Sequence, residues 1–180
     1  MTPREGSARQ QELLDAAYGW VLEHGWAGMS LRPLAEAIGS SPRVLLYLFG
    51  SKDGLVRALL ARSRADQLAV LDALGGAADL KTVGARVWAW LAAEEHRALL
   101  RLWLEAYTRS VGDADHGPWA GFAAQTVADW DALLAEHQSL DRPAERALLL
   151  AVLRGALLDL LATGDKPRLD AAVAAHLEAM

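Results

Sequence analysis

Side chains able to make or break bonds are few and scattered. The chain has no cysteine, which removes disulfides, thiolate metal sites and thiol nucleophiles. The five histidines, His24, His96, His116, His137 and His176, share no HExxH or paired-ligand spacing. Gly75-Gly76 precedes no phosphate-binding motif and reads as a helix break. No catalytic residue, metal or cofactor is therefore assigned. Ser30 and Ser41 offer a different chemistry. Each stands just before a candidate helix, where a hydroxyl and unsatisfied N–H groups can bind a phosphate oxygen. Capping the helix is the plain alternative, and the two uses are compatible. Arg43 follows Ser41 by two residues, at the start of that helix. Its planar fork suits either a bidentate guanine contact or a backbone phosphate.

The elements that must position these groups are helices. Alternating strand patterns are nearly absent, and β-branched residues are scarce beside Ala and Leu. Leu13, Leu14, Ala17, Val21 and Leu22 form a stripe that predicts a helix over 8–24, closed by Gly25. Ser30 heads a helix over 31–38, with Pro33 tolerated in its first turn. Ser41-Pro42 heads a short helix over 42–49, ended by Gly50. Ser51 heads a long helix reaching about Leu74, with Asp53 in its first turn favoured by the dipole. Further helices are predicted over 80–94, 97–111, 118–138, 143–163 and 167–179.

The helices over 31–38 and 42–49 are separated by Gly39-Ser40-Ser41. Such a turn sets two short helices at a steep angle, the helix-turn-helix geometry. Leu31, Leu34, Ala35, Ile38, Leu45 and Phe49 would hold the pair against the first helix, leaving the second free for a major groove. The residue pattern here is specific. Leu31-Arg32-Pro33-Leu34-Ala35, Gly39-Ser40-Ser41 and Leu45-Leu46-Tyr47-Leu48-Phe49-Gly50-Ser51-Lys52-Asp53-Gly54-Leu55 closely resemble the DNA-binding domain of TetR/AcrR-family regulators. Leu13-Leu14-Asp15-Ala16-Ala17, Gly25-Trp26 and Ser30 agree with it, so the resemblance covers about residues 9–60. It implies a DNA-binding domain over 1–55 and a helical ligand-binding and dimerisation domain over 56–180. It also implies phosphate contacts from Tyr47 and Lys52. Ser30, Ser41, Pro42 and Arg43, at the starts of their helices, complete the expected DNA-contacting set, and Arg32 is placed to reach the backbone. The chain departs from the family at Val44, Leu46 and Leu48, where polar or aromatic residues and a histidine are usual. Val44 can meet a thymine methyl; Leu46 and Leu48 are expected to pack inward.

The second part carries five of the seven tryptophans, in a chain with only three Tyr and two Phe. Trp103 and Tyr107 are i,i+4 neighbours on one face. Trp119, Phe122, Thr126 and Trp130 form another stripe. Such stripes fill a core or line a pocket; large aromatics pack a small helical core poorly, and the resemblance implies a ligand among these helices. Trp88, Trp103, Glu105, Tyr107, Trp119, Phe122, Thr126 and Trp130 are the candidate ligand-binding residues, with Gln125 and His96 as further polar anchors. Glu105 alternatively pairs with Arg101 and Arg109 at i±4. Ala147, Leu150, Ala151, Arg154, Gly155, Leu158 and Leu161 recur at helical spacing, with small residues that permit close helix approach. They are either an internal stripe or, as the resemblance implies, the interface of a homodimer.

The composition, 53% hydrophobic and 23% charged, belongs to a folded chain of 180 residues. No window approaches the apolar run of a membrane span, and the polar start lacks a signal peptide, so the cytoplasm is the expected location. A net charge of −5 suits nucleic acid poorly as a whole. It divides, however, into +2 over residues 1–64 and −7 over the rest. The expected protein is all-α: a three-helix helix-turn-helix head joined by a long helix to a helical body. Its expected function is a homodimeric repressor on a palindromic duplex operator, released by a small apolar or aromatic effector. A ligand-binding protein of this fold with weak or lost DNA binding, or a small helical enzyme, are the competing readings.

Overall fold

A computed structural model describes residues 3–73, 79–112 and 117–180. The expected break at Gly75-Gly76, the helix end at Leu74 and His116 lie outside the described residues. Within them the chain is helical throughout, with no strand. Helix α1 spans Pro3–His24, α2 Leu31–Ala37, α3 Pro42–Phe49 and α4 Lys52–Ala73. Helix α5 spans Leu80–Leu91 and is followed by a single 3-10 turn over Glu94–His96. Helices α6 (Arg97–Gly112), α7 (Phe122–Ala135), α8 (Pro143–Thr163) and α9 (Lys166–Glu178) complete the chain.

Packing gathers these helices into two compact units, one of residues 1–66 with 101–123, the other of 67–100 with 124–180. The division follows contact density. The partition at residue 55 is a separate, functional expectation.

In the first unit α1, α2 and α3 pack against one another. Leu13, Ala17 and Val21 of α1, Leu34 and Ala35 of α2, and Leu45 of α3 are all buried. Leu55 and Leu59 of α4 are buried as well. Leu31, Ile38 and Phe49, expected in the same core, are only half-buried. The Gln10 amide donates to the Leu48 carbonyl at 2.9 Å and so satisfies an end of α3 from α1.

In the second unit α5, α8 and α9 pack together. Val83 and Val87, Leu149, Leu153 and Leu157, and Leu169, Val173 and Leu177 form the buried faces. Gly84 allows the closest approach: a Cβ there would lie 2.9 Å from a Leu177 methyl and 3.2 Å from Leu149. Arg146 of α8 is buried. Its guanidinium donates to Asp131 at 3.0 Å, Asp141 at 2.7 Å and Gln138 at 2.8 Å. A buried guanidinium needs such partners, and these tie the end of α7 and the following loop to α8.

Of the boundaries that differ from the sequence expectation, two have a clear local cause. Helix α5 stops at Leu91 because Ala93 is extended (φ −74°, ψ 135°). Helix α7 begins at Phe122 and not at Pro118, because Gly121 takes φ +76°, a left-handed conformation that ends the preceding turn. Trp119 therefore lies in a turn, off the helical stripe of Phe122, Thr126 and Trp130.

Candidate nucleic-acid interface

Helix α3 has one buried residue, Leu45, which is 1% exposed. At 100° per residue the neighbours of a single inward anchor point sideways and outward. Arg43, Val44, Leu46 and Tyr47 are accordingly exposed, Tyr47 the most at 75%. Leu46 was expected to pack inward; it stays on the surface beside Val44, because Leu45 already occupies the inward direction. Leu48 is half-buried. The outward face of α3 is thus a cation, a phenol and two aliphatic side chains.

The helix starts flank this face. The Ser41 hydroxyl accepts from the Val44 N–H at 3.3 Å, and the Ser51 hydroxyl accepts from Gly54 at 2.9 Å. Ser30 heads α2 without a side-chain capping bond, so its hydroxyl is not committed to the helix. Pro42 is the first residue of α3 and is half-buried. Arg32, Arg43 and Lys52 are exposed, and among the described residues none of the three is in an ion pair. Unpaired cations around an exposed short helix, with hydroxyls at adjacent helix starts, can engage a polyphosphate backbone while α3 meets base edges.

Trp26 follows Gly25 in the turn after α1. It is 3% exposed. Its indole N–H donates to the Leu102 carbonyl at 2.9 Å, and its backbone N–H donates to the Glu105 carboxylate at 3.0 Å. Glu105 therefore serves the turn after α1. The i±4 pairing with Arg101 or Arg109 does not form. Arg109 lies over the Trp119 ring instead, 5.0 Å from its centroid.

The residues expected to bind a ligand divide between the two units. Trp103, Glu105, Tyr107, Trp119 and Phe122 belong to the first. Trp103 is buried, its ring 5.1 Å from that of Tyr107, and its indole N–H has no hydrogen-bond partner. Phe122 is buried, and the neighbouring Ala123 N–H donates to Ser110. Trp88, Thr126 and Trp130 belong to the second unit and are buried. The Trp88 indole donates to Asp170 at 2.9 Å. A Lys166 hydrogen bond, reinforced by that indole, holds the Asp170 carboxyl below its usual range. Of the further anchors, His96 bonds the Trp90 carbonyl and stacks on its ring, and Gln125 donates to Asp129. Among the described residues no cluster of three acidic or histidine side chains could hold a metal.

On α8, Ala147, Ala151, Gly155 and Leu158 face outward, while Arg154 and Leu161 are half-buried. Leu150 is 5% exposed and points into its own unit, so it cannot lie on the outer face. Leu148, which the spacing did not single out, is 56% exposed and joins that face. No helix among the described residues is long and apolar enough to cross a membrane.

Comparison with known proteins bears on this arrangement. The family model for bacterial regulatory proteins of the tetR family matches residues 13–59, which run from α1 into α4. The chain is similar to the HTH-type transcriptional repressor AcnR of Corynebacterium diphtheriae, 38% identical over 72 residues. That match covers 40% of this chain and 37% of the repressor, so the similarity spans little more than a third of the relative's length. Over 97% of this chain the fold is like that of a TetR transcription regulator from Haloarcula marismortui (98% of which is covered), with a TM-score of 0.77 and 18% identity. The multidrug binding protein EbrR, solved with imidazole and with proflavin, is 27% identical in the imidazole complex. That alignment covers 98% of this chain and 93% of EbrR, with a TM-score of 0.71. The segment matched by the tetR-family model holds the whole α2–turn–α3 unit, and along nearly its full length the chain has the all-helical fold of solved TetR-type regulators.

Proposed function

We propose that the chain is a DNA-binding transcriptional repressor that acts as a homodimer and is released by a small apolar or aromatic effector. The observation that carries this reading is the outward face of α3, where Arg43, Val44, Leu46 and Tyr47 project from a helix whose one fully buried residue is Leu45. In this reading Arg43 reads a base edge, and Val44 meets a thymine methyl, with Leu46 beside it. Ser30, Arg32, Ser41, Tyr47 and Lys52 hold the phosphates, and Pro42 starts α3 in the required direction. Residues 1–55 carry this work, and residues 56–180 carry dimerisation and effector binding.

One such unit reads one half-site, and affinity for a palindromic operator comes from two. The outer face of α8 supports self-association: Ala147, Ala151 and Gly155 keep it low, and exposed Leu148 and Leu158 give it apolar area to bury. EbrR binds proflavin, a planar aromatic molecule, which supports the same class of effector here. Trp103, with its buried and unpartnered indole N–H, is the strongest residue for holding it. Helix α6 carries Trp103 together with Leu102 and Glu105, which grip Trp26. A ligand that shifts α6 therefore acts on the turn between α1 and α2. Coupling of this kind amounts to about 1–3 kcal/mol and is reciprocal between ligand and DNA.

The test is titration of labelled duplexes, including the region upstream of the chain's own gene, across a salt series. Binding should weaken steeply with salt, in proportion to the phosphates contacted. Failure to bind any duplex at low salt would refute this function and favour a ligand-binding protein that has lost DNA recognition.

A further inference from the structure

We propose that a second small-molecule site, which does not include Trp103 and shares only Trp119 with the expected effector residues, lies beside the start of α4 and takes a small aromatic monocarboxylate. Within the first unit, a cavity of about 200 Å³ is lined by Trp26, Met29, Lys52, Asp53, Arg109 and Trp119, among others. Its size selects a single ring. An apolar cavity of about 150 Å³ accommodates benzene, whereas sites for drug-sized ligands run to about 300–1,000 Å³. Its walls select an aromatic ring. Trp26 and Trp119 meet edge to face, centroids 4.9 Å apart and planes at 89°, and give the cavity an aromatic wall of two indoles. Both are favourable partners for a third ring. The buried Met29 adds a polarisable apolar contact.

The charge at the mouth selects the substituent. Two cations line the cavity against one acid, an excess of a single positive charge. Among the described residues neither Lys52 nor Arg109 is ion-paired. The Arg109 guanidinium, already laid over Trp119, has its planar fork to offer a carboxylate. Asp53 opposes a doubly charged ligand and leaves a monoanion as the best match. A carboxylate bound there occupies Lys52. If Lys52 holds a DNA phosphate, as in the function proposed above, ligand and DNA compete directly for one ammonium group.

The experiment uses benzoate as the probe, with benzylamine and benzyl alcohol as controls, on the full chain without DNA. Isothermal titration or ligand-observed NMR should give saturable benzoate binding with a Kd on the order of 0.1–1 mM, as suits so small a ligand. Benzyl alcohol should bind at least ten-fold more weakly, and benzylamine should not bind. Arg109→Gln should weaken benzoate at least ten-fold and Asp53→Asn should tighten it. Absent binding, equal binding of benzylamine, or binding indifferent to Arg109→Gln would overturn the site. The regulatory consequence is read separately, on duplex binding: benzoate should displace DNA from the wild type and not from Arg109→Gln, whose DNA affinity should be unchanged. Benzoate binding that leaves DNA affinity untouched would overturn the competition. Benzoate binding in a chain that binds no DNA would refute the proposed function and leave the site standing.

Discussion

Replacing Gly25 with alanine should destabilise the chain by more than its backbone conformation alone demands, and the excess should belong to Glu105. Gly25 has φ +71°, where an L-residue costs roughly 1–2 kcal/mol. A Cβ at Gly25 would also lie 2.9 Å from one Glu105 carboxylate oxygen and 3.4 Å from the other. That carboxylate is held by the Trp26 backbone N–H at 3.0 Å and cannot swing away without losing the bond. A hydrogen bond to a charged group contributes roughly 1.5–3 kcal/mol. The combined cost is therefore roughly 2.5–5 kcal/mol. Gly39→Ala is the control, since Gly39 has φ +63° and nothing within 4 Å of its would-be Cβ. It should lose only about 1–2 kcal/mol. Urea unfolding followed by circular dichroism measures both. In a Glu105→Ala background the cost of Gly25→Ala should fall to that of Gly39→Ala, which makes the pair a double-mutant cycle. Equal losses at Gly25 and Gly39 in the wild type, or an excess that survives removal of Glu105, would refute the reasoning.

Lys52→Ala should weaken binding to every duplex alike and lower the salt slope by about one, whereas Arg43→Ala should cost about 1–3 kcal/mol and relax preference at one base pair per half-site; anisotropy on a panel of single-substituted operators distinguishes them. Ala151→Arg, on an exposed position of α8, should give a folded monomer by sedimentation, and a dimer that persists would move the interface elsewhere. Burial pushes the Tyr18 hydroxyl from the ordinary 10.0 up to about 12. Because the unfolded chain ionises first, the folded state should lose roughly 2–3 kcal/mol as pH rises from about 10 to about 12, with none of that loss below pH 10. Tyr18→Phe should remove that part of the alkaline decline, as read by denaturation at pH 9 and pH 11.

Much of the local architecture is legible in the sequence. The bounds of α3 and α8 follow from a proline at the first helical position and a glycine just past the end, signals confined to a few neighbouring residues. The helix-turn-helix head was legible for the same reason, since its motif is continuous in sequence. Where a local signal competed with a longer-range one, it misled. Pro118 reads as a helix start, yet Gly121 at φ +76° defers α7 to Phe122. The resemblance put Leu150 on the outer stripe of α8, and the apolar departure at Leu46 suggested inward packing; the fold turns Leu150 inward and Leu46 outward. Periodicity gives relative direction around a helix, and only packing says which direction faces the core.

The sequence by itself determined that the chain is helical, that its head resembles a DNA-reading unit, and that its charge divides between a basic head and an acidic body. These are properties of composition and of neighbours within a turn or two. The tertiary structure alone decided that Glu105 caps the Trp26 amide from 79 positions away. It also decided that Lys52, Arg109 and two tryptophans share one cavity, and that the expected ligand residues fall in two separate units. Such pairings depend on which helix faces pack together, and no spacing along the chain encodes a contact between residues that only the fold brings together.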